Sequence, residues 1–131
     1  MSICSCCILV LPNGKLVFQR RTADAPVSAH KLDLFGGHRE PRESREATIR
    51  RELAEETSLE PEHMGMTYLG EVDSPVSDGQ MYVYKASIKS DQFRVYEGEQ
   101  EETYSLDEIL HRHDVDPDTR AVLEAFKHIL K

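Results

Sequence analysis

Three glutamates in the middle of the chain have the spacing of a metal-binding cluster. Glu52, Glu55 and Glu56 stand at positions i, i+3 and i+4, so on a helix their carboxylates share one face. Like charges at this spacing destabilise a helix unless a positive charge neutralises them. Mg²⁺ suits that role because it takes oxygen ligands and keeps its other positions for water and substrate phosphates. The alternative interpretation is a solvated acidic helix with salt bridges to nearby arginines.

The residues around these glutamates follow a known pattern. Residues 37–59 read GHREPRESREATIRRELAEETSL. This segment resembles the Nudix box, G-x5-E-x7-R-E-U-x-E-E-x-G-U with U aliphatic, at every position except Ser58, which replaces the last glycine. Residues 20–37 are similar to the run before the box in MutT-type nucleoside triphosphate pyrophosphohydrolases. Glu97-Gly98, followed by residues 104–108, is similar to the family's later acidic loop and helix.

The resemblance implies hydrolysis of the pyrophosphate linkage in a nucleoside triphosphate or another nucleoside diphosphate derivative. Mg²⁺ is the implied cofactor, with Mn²⁺ as a substitute. The implied metal ligands are the Gly36 carbonyl and the side chains of Glu52, Glu55 and Glu56. Arg51 would orient Glu52 or pair with Glu43. Catalysis is expected to depend on Glu52, Glu55 and Arg51.

A further carboxylate from the later acidic loop is expected to complete the site or act as a base. We choose Glu97 because its Glu-Gly step matches the family. The rival residues are Glu99, Glu101 and Glu102. For each of them a solvated acidic loop is the competing interpretation.

Substrate contacts are predicted at four positions. Arg21, slightly ahead of Arg20, leaves the second strand where a guanidinium could fork onto a phosphate. Arg39 follows the glycines and could also touch phosphate. Asp118 lies near the place where MutT-type proteins put a purine-reading residue. The competing interpretations are exposed strand-end charges for the two strand arginines and, for Asp118, a helix-terminal charge favoured by the dipole.

Two residues depart from the family pattern. Ser58 stands where a glycine normally closes the helix in a left-handed conformation, so Ser58→Gly is expected to stabilise the protein by about 1 kcal/mol. If the helix instead runs on to Glu60, the same change should destabilise it. Arg42 stands where family members often have glycine, which puts the position of Glu43 in question.

The surrounding elements predict a mixed sheet between helices. Two strands, residues 2–11 and 15–20, flank an Asn-Gly hairpin signal. A short strand, residues 31–35, delivers the chain to a glycine turn. After this strand the sequence predicts a helix at 45–57 capped by Ser44, followed by strands at 65–73 and 80–90. A capping box from Ser105 opens a short helix. A final helix is predicted after Asp116-Pro117, with an apolar stripe of Val122, Phe126, Ile129 and Leu130. The predicted fold class is α/β (α+β), and the resemblance supplies the Nudix-type α-β-α sandwich.

Composition narrows the class of protein further. A chain of 131 residues predicts a single domain, residues 1–131, and no apolar run is long enough to span a membrane. The net charge of −8 argues against binding a nucleic acid duplex or an anionic membrane. A metal at the acidic cluster would reverse the local field that a phosphate meets. The expected partner is a nucleotide, and the protein is expected to be a monomer or homodimer.

The three cysteines are crowded at the start of the chain. Cys4 and Cys6 would share one face of a strand and Cys7 the other. Small buried side chains are favoured over a metal or redox site, because no second cluster completes a zinc site. A disulfide framework is not expected, so the predicted location is the cytoplasm.

Two other functions compete with hydrolysis. A non-catalytic Nudix-fold nucleotide sensor or interaction module is the alternative, but such modules usually lose box carboxylates, and all three are present. A Nudix-like isoprenoid diphosphate isomerase fits poorly, since the chain is short and has no Trp.

Overall fold

The structure is a computed structural model that describes residues 3–89, 94–96 and 100–130. The strands are β1 Ile3–Val10, β2 Leu16–Arg20, β3 Leu32–Asp33, β4 Phe35–His38, β5 Met66–Asp73, β6 Gln80–Ser87 and β7 Glu101–Tyr104. The helices are α1 Arg45–Glu56, α2 Leu106–Leu110 and α3 Pro117–Leu130, with a 3-10 turn at Pro61–His63. Among the described residues, no helix is long and apolar enough to cross a membrane.

Within the described residues, seven strands form one mixed sheet. Its order is β3-β2-β1-β6-β5, with β4 pairing to β1 and β7 to β2. The β1–β6 pair is parallel and the other pairs are antiparallel. The first hairpin turns at Gly14 with a φ of 86°, which a glycine adopts without strain. Its register, Leu9 opposite Val17, confirms the predicted hairpin.

Helices cover both faces of the sheet. On one face Ile49 and Leu53 of α1 pack with Cys7 and Leu9 of β1. The other face is covered by α2 and α3, whose core residues are Ile109, Val122 and Leu123. Each large aliphatic side chain buried in this way contributes about 1.5–3 kcal/mol. The predicted sandwich with a mixed sheet is confirmed.

The glycine pair lies in a strand, so the predicted glycine turn is wrong. Gly36 and Gly37 belong to β4, which continues to His38 and pairs with β1. A Cβ on Gly36 would lie 2.1 Å from the Ser5 carbonyl oxygen. Glycine is therefore required here because β1 and β4 approach so closely, and φ at Gly36 is 150°.

Helix α1 begins where the sequence predicted, but the chain leaves it differently. Ser44 caps α1 by accepting a bond of 3.0 Å from Ala47 N. Thr57 then takes extended backbone with φ −138°, and Ser58 is not among the described non-glycine residues with positive φ. Ser58 instead joins residue 94, donating its N–H to the Arg94 carbonyl and accepting the Arg94 N–H on its Oγ. Both expectations for Ser58, the left-handed cap and the longer helix, are wrong.

The last helix differs from prediction in one core position. Asp116 caps α3 by accepting the N–H groups of Asp118 and Thr119 on Oδ2. Ile129, which the predicted stripe included, is 40% exposed, whereas Leu123 is fully buried. The buried face is centred on Val122 and Leu123, so it lies rotated from the predicted stripe.

Candidate active site

The face of α1 that carries the glutamates lies against the glycines of β4. A Cβ on Gly37 would come within 2.4 Å of the Glu52 carboxylate. Glu56 is 7% exposed, and its Oε1 accepts the Gly36 N–H at 2.9 Å. The absence of side chains at Gly36 and Gly37 thus allows two carboxylates of α1 to reach the backbone of β4. The contact of Gly36 with Glu56 runs through the N–H group of Gly36.

Arg51 binds several carboxylates at this face. Its guanidinium binds both oxygens of Glu43, at 2.7 and 3.0 Å, and also contacts Glu52 at 2.8 Å and Glu55 at 3.3 Å. A fifth bond of 3.0 Å goes to the His38 carbonyl. The hydrogen bonds from Arg51 are the main reason that the pKa of Glu43 falls to about 2. Arg51 therefore makes both contacts that the resemblance implied, with Glu52 and with Glu43.

Glu43 holds its place although the preceding residue is strained. Arg42 has a φ of 69°, a left-handed conformation that favours glycine. Glu43 nevertheless accepts bonds from Glu40 N at 2.9 Å and Thr48 Oγ1 at 3.1 Å. The loop before α1 thus adopts the conformation of a glycine-containing loop and pays a backbone cost for it.

The donor chemistry of the face fits a hard divalent cation, but its side chains are arranged around Arg51. Among the described residues, no group of three or more His, Cys, Asp or Glu is placed to hold a metal ion. Glu52 and Glu55 point to Arg51, and Glu56 bonds to Gly36 N. Carboxylate oxygens on one helix face, next to exposed strand backbone, are nevertheless the ligands that Mg²⁺ takes. A ligand set requires these glutamates to turn away from Arg51.

A pocket of about 440 Å³ opens beside β4. Gly36, Gly37 and His38 line one side, and the start of α3 lines the other. Arg21 and Asp118, two of the predicted substrate residues, line it as well. The pocket thus places a nucleotide-sized space directly next to the strand that α1 contacts.

Hydrogen bonds connect the polar side chains in the wall of this pocket. Arg21 donates to Asp33 Oδ2 at 3.1 Å and to the Val27 carbonyl at 2.8 Å. Asp33 also accepts from Thr119 Oγ1 at 2.7 Å. Burial, followed by the charge of Asp116, raises the pKa of Asp33 to about 6. Sequence reasoning missed Asp33, although a lone carboxylate between two buried leucines was a signal.

Asp118 faces the same pocket from the first turn of α3. Its Oδ1 accepts a bond of 2.6 Å from Ser74 Oγ. The capping role belongs to Asp116, which also accepts from Ser28 Oγ at 2.5 Å. Asp118 is thus not needed to cap the helix, and its carboxylate borders the cavity.

Arg20 lies in a different network. It binds Glu102 through two bonds of 2.5 and 2.8 Å, Asp114 at 3.0 Å and the His30 carbonyl at 2.8 Å. Glu102 also accepts from Tyr104 Oη at 2.5 Å. The bond from Arg20 is the main cause that lowers the pKa of Glu102 to about 2. Neither Arg20 nor Glu102 lines the pocket.

The remaining predicted residues divide as follows. Glu97 and Glu99 lie outside the described residues. Glu101 is exposed at the start of β7 and pairs with Gln19 across the strands. Arg39 is exposed at the end of β4 and lines a second pocket.

The cysteines occupy the strand faces that the sequence predicted. Cys4 and Cys6 line the pocket, whereas Cys7 is buried in the core on the other face. All three, which lie in the described part of the chain, are free. Burial raises the pKa of Cys4 to about 11, so its thiol is not ionised near neutrality.

A family model supplies the missing context for this geometry. The model described as NUDIX domain matches residues 3–126. The chain belongs to the Nudix family. This membership supports the enzyme class of a pyrophosphohydrolase.

Solved structures of Nudix proteins share the fold. The crystal structure of a MutT protein from Methanosarcina mazei Go1 is 24% identical, covers 99% of this chain and 95% of its own, and has a TM-score of 0.80. The NUDIX domain of Shewanella oneidensis NrtR complexed with ADP ribose is 18% identical, with 98% and 88% covered and a TM-score of 0.77.

A third similar structure belongs to a longer protein. It is a bifunctional NMN adenylyltransferase/ADP ribose pyrophosphatase from Francisella tularensis, complexed with AMP and a Mn ion. It is 15% identical, covers 99% of this chain and 42% of its own, and has a TM-score of 0.74. No curated protein sequence matches this chain significantly.

Proposed function

We propose that this Nudix protein is a Mg²⁺-dependent hydrolase of the pyrophosphate linkage in a nucleoside triphosphate or another nucleoside diphosphate derivative. The observation that carries the proposal is the packing of the α1 carboxylates against β4 at the edge of the 440 Å³ pocket. A nucleotide in that pocket would hold its phosphates beside the carboxylates. Positioning and charge neutralisation are the main sources of rate in phosphate hydrolysis.

The proposed ion ligands are the side chains of Glu52, Glu55 and Glu56 with the Gly36 carbonyl, and Mn²⁺ substitutes for Mg²⁺. When bound, such an ion neutralises phosphate charge and lowers the pKa of a bound water. Arg51 contacts two of these side chains, Glu52 and Glu55. Glu97 stays a prediction for the further carboxylate.

The substrate is proposed to meet Arg21 and Asp118 in the pocket. The guanidinium of Arg21 has the fork geometry that suits phosphate, and both of its described partners, Asp33 and Val27, line the same cavity. The carboxylate of Asp118 can accept hydrogen bonds from a purine edge. Arg20 is left out of this proposal because its donors are bound to Glu102, Asp114 and His30.

A substrate panel with product identification tests the proposal. Nucleoside triphosphates, oxidised purine nucleotides and nucleotide sugars are incubated with Mg²⁺, and the products are identified by mass. A nucleoside monophosphate together with pyrophosphate or a phosphorylated leaving group is expected. Orthophosphate and a nucleoside diphosphate as the first products would contradict it, and the same reactions in EDTA should be silent.

A non-catalytic nucleotide-binding module is the second candidate. The observation that favours it is the arrangement of Glu52 and Glu55 around Arg51, which balances their charge without a metal. Tight nucleotide binding without any turnover, in Mg²⁺ or Mn²⁺, would select this reading. Four expectations for this protein remain predictions. They are a monomeric or homodimeric state, a single domain, no binding of nucleic acid duplexes, and a location in the cytoplasm.

A further inference from the structure

A second pocket, of about 560 Å³, lies at the start of α1 on the face of the sheet that carries Tyr82 and Tyr84. We call it the tyrosine pocket; its aromatic wall is Tyr68, Tyr82 and Tyr84, and its arginines are Arg39 and Arg45. Among the described residues it shares no lining residue with the pocket beside α3. It is therefore a separate site from the one proposed for hydrolysis.

The wall of the tyrosine pocket consists of flat side chains in contact, with the Arg45 guanidinium over the Tyr68 ring and the Tyr82 and Tyr84 rings tilted by 51° and 52° to it. The guanidinium carbon of Arg45 lies 3.8 Å from the ring centre of Tyr68 and 5.6 Å from that of Tyr82. The Tyr68 ring centre is 5.3 Å from Tyr84 and 6.3 Å from Tyr82. Arg45 is exposed, and Tyr68 is 36% exposed. The Arg45–Tyr68 pair is thus open to a further planar ring, since bases stack on both guanidinium planes and aromatic faces.

The charge of the tyrosine pocket is unusual for this protein. The chain has 24 acidic and 16 basic residues, yet among the described residues Arg39 and Arg45 form no ion pair with a carboxylate. Glu46 also lines the pocket, but it faces Arg50 at 3.7 Å. The two arginines therefore leave positive charge beside an aromatic surface.

These features together select one class of ligand. Tyrosine faces alone would attract a cation, but Arg45 already occupies that position. Arginines alone would suit any anion. We propose that the tyrosine pocket binds a nucleotide, with its base on the Arg45–Tyr68 stack and its phosphate on Arg39. This assigns Arg39 to a second binding site rather than to the hydrolytic one.

Fluorine NMR of the protein labelled with 3-fluorotyrosine tests this directly. The chain has five tyrosines and no Trp, and no tyrosine lines the pocket beside α3. The probe is AMP in EDTA, which has no pyrophosphate linkage to cleave. Resonances assigned by Tyr→Phe variants should show saturable shifts at Tyr68 and Tyr82, with Tyr104 unchanged as an internal reference.

Variants and ligand fragments locate the binding groups. Arg39→Ala and Arg45→Ala should each weaken AMP binding at least about tenfold, the usual scale for losing an arginine–phosphate or stacking contact. Lys15→Ala, which removes the same charge at the exposed first hairpin, should bind AMP normally. Adenosine and ribose 5-phosphate, each lacking half of the ligand, should also bind at least about tenfold more weakly than AMP.

The outcomes separate this site from the hydrolytic one. Arg45→Ala should keep the turnover of the Mg²⁺ reaction within about twofold, because among the described residues Arg45 contacts no proposed metal or substrate residue. If Arg45→Ala lowers the melting temperature sharply, Arg39→Ala, at an exposed position, decides the question. No saturable tyrosine shift, shifts that survive both arginine variants, or ribose 5-phosphate binding as tightly as AMP would each overturn the proposal. None of these binding results depends on whether the protein hydrolyses anything; only the turnover comparison does.

Discussion

Two arginine-centred networks in this protein look alike and do different work. Arg51 and Arg20 each bind two or more carboxylates, and their side chains are 24% and 19% exposed. The partners of Arg51 lie within about one helix and the loop before it, next to β4. The partners of Arg20 lie 82 and 94 residues away and join β2 to β7 and to the loop before α3. Similar ion pairs therefore position the carboxylates of α1 around Arg51 and connect β2 to β7 around Arg20.

The largest expected effect separates the carboxylates of the two networks. Glu55→Gln and Glu56→Gln should each lower turnover at least about a hundredfold, on the scale of losing charge stabilisation at a metal centre. The matched control is Glu102→Gln, the same chemical change next to Arg20, which should lower stability but leave the turnover of folded protein near normal. Steady-state kinetics at saturating Mg²⁺, with melting curves, checks all three. If Glu102→Gln were as inactive as the two α1 variants, the proposed difference between the two networks would be contradicted.

Removing each arginine should separate the networks by their response to metal. Arg20→Met leaves Glu102 without its ion pair in a partly buried position, whereas Asp114 keeps its two bonds to Arg112, and the change should cost about 2–4 kcal/mol of unfolding free energy. Arg51→Met also destabilises, because Glu43, Glu52 and Glu55 then repel one another. Mg²⁺ should restore much of the melting temperature of Arg51→Met and none of that of Arg20→Met. Equal responses of the two variants to Mg²⁺ would contradict the proposed metal face.

The stability of the protein is expected to depend on pH through Asp33, in the wall of the pocket beside α3. Because its pKa in the folded protein is raised to about 6 from an ordinary 3.8, Asp33 favours folding when protonated, and that contribution is lost as pH rises. Asp33→Asn keeps an oxygen for Thr119 and cannot ionise. Between about pH 4 and pH 7 the variant should gain about 1–3 kcal/mol relative to the wild type. Urea unfolding at both pH values measures this, and a relative gain for the wild type would reverse the sign.

The smallest effects concern the loops at the two ends of α1. Arg42→Gly removes left-handed strain and should stabilise the protein by about 0.5–1 kcal/mol. Ser58→Gly should instead destabilise by about 1 kcal/mol, since it removes the bond from Arg94 N to Ser58 Oγ and adds backbone freedom. Melting curves of the two variants check the pair. A higher melting temperature for Ser58→Gly would contradict this and would support the left-handed cap at Ser58.

Contacts between residues that are close in sequence could be predicted, whereas contacts between distant residues could not. The face shared by Glu52, Glu55 and Glu56 follows from helical spacing, which residue order fixes. The hairpin and the Ser44 cap are local in the same way. The contacts of Arg51 with Glu52 and Glu43 were implied by the family resemblance. The bonds of Arg20 could not be inferred, because they depend on which strands become neighbours.

The helix end shows the same limit. The sequence placed a left-handed cap at Ser58 by analogy with the family glycine, but a distant segment, residues 94–96, pairs with the chain there. The strain that the glycine rule describes is found before the helix, at Arg42. Asp33 was missed for a related reason, because its raised pKa comes from burial and from Asp116, far along the chain.

The central claim is that the carboxylate face of α1 holds a divalent ion. The most direct measurement is a titration with Mn²⁺ followed by electron paramagnetic resonance, which detects the free ion, for the wild type and for Glu56→Gln. The account predicts bound Mn²⁺ in the wild type, its displacement by excess Mg²⁺, and binding weakened by at least about tenfold in the variant. Binding of equal strength in the two proteins, or no bound Mn²⁺ in the wild type with or without nucleotide, would contradict it.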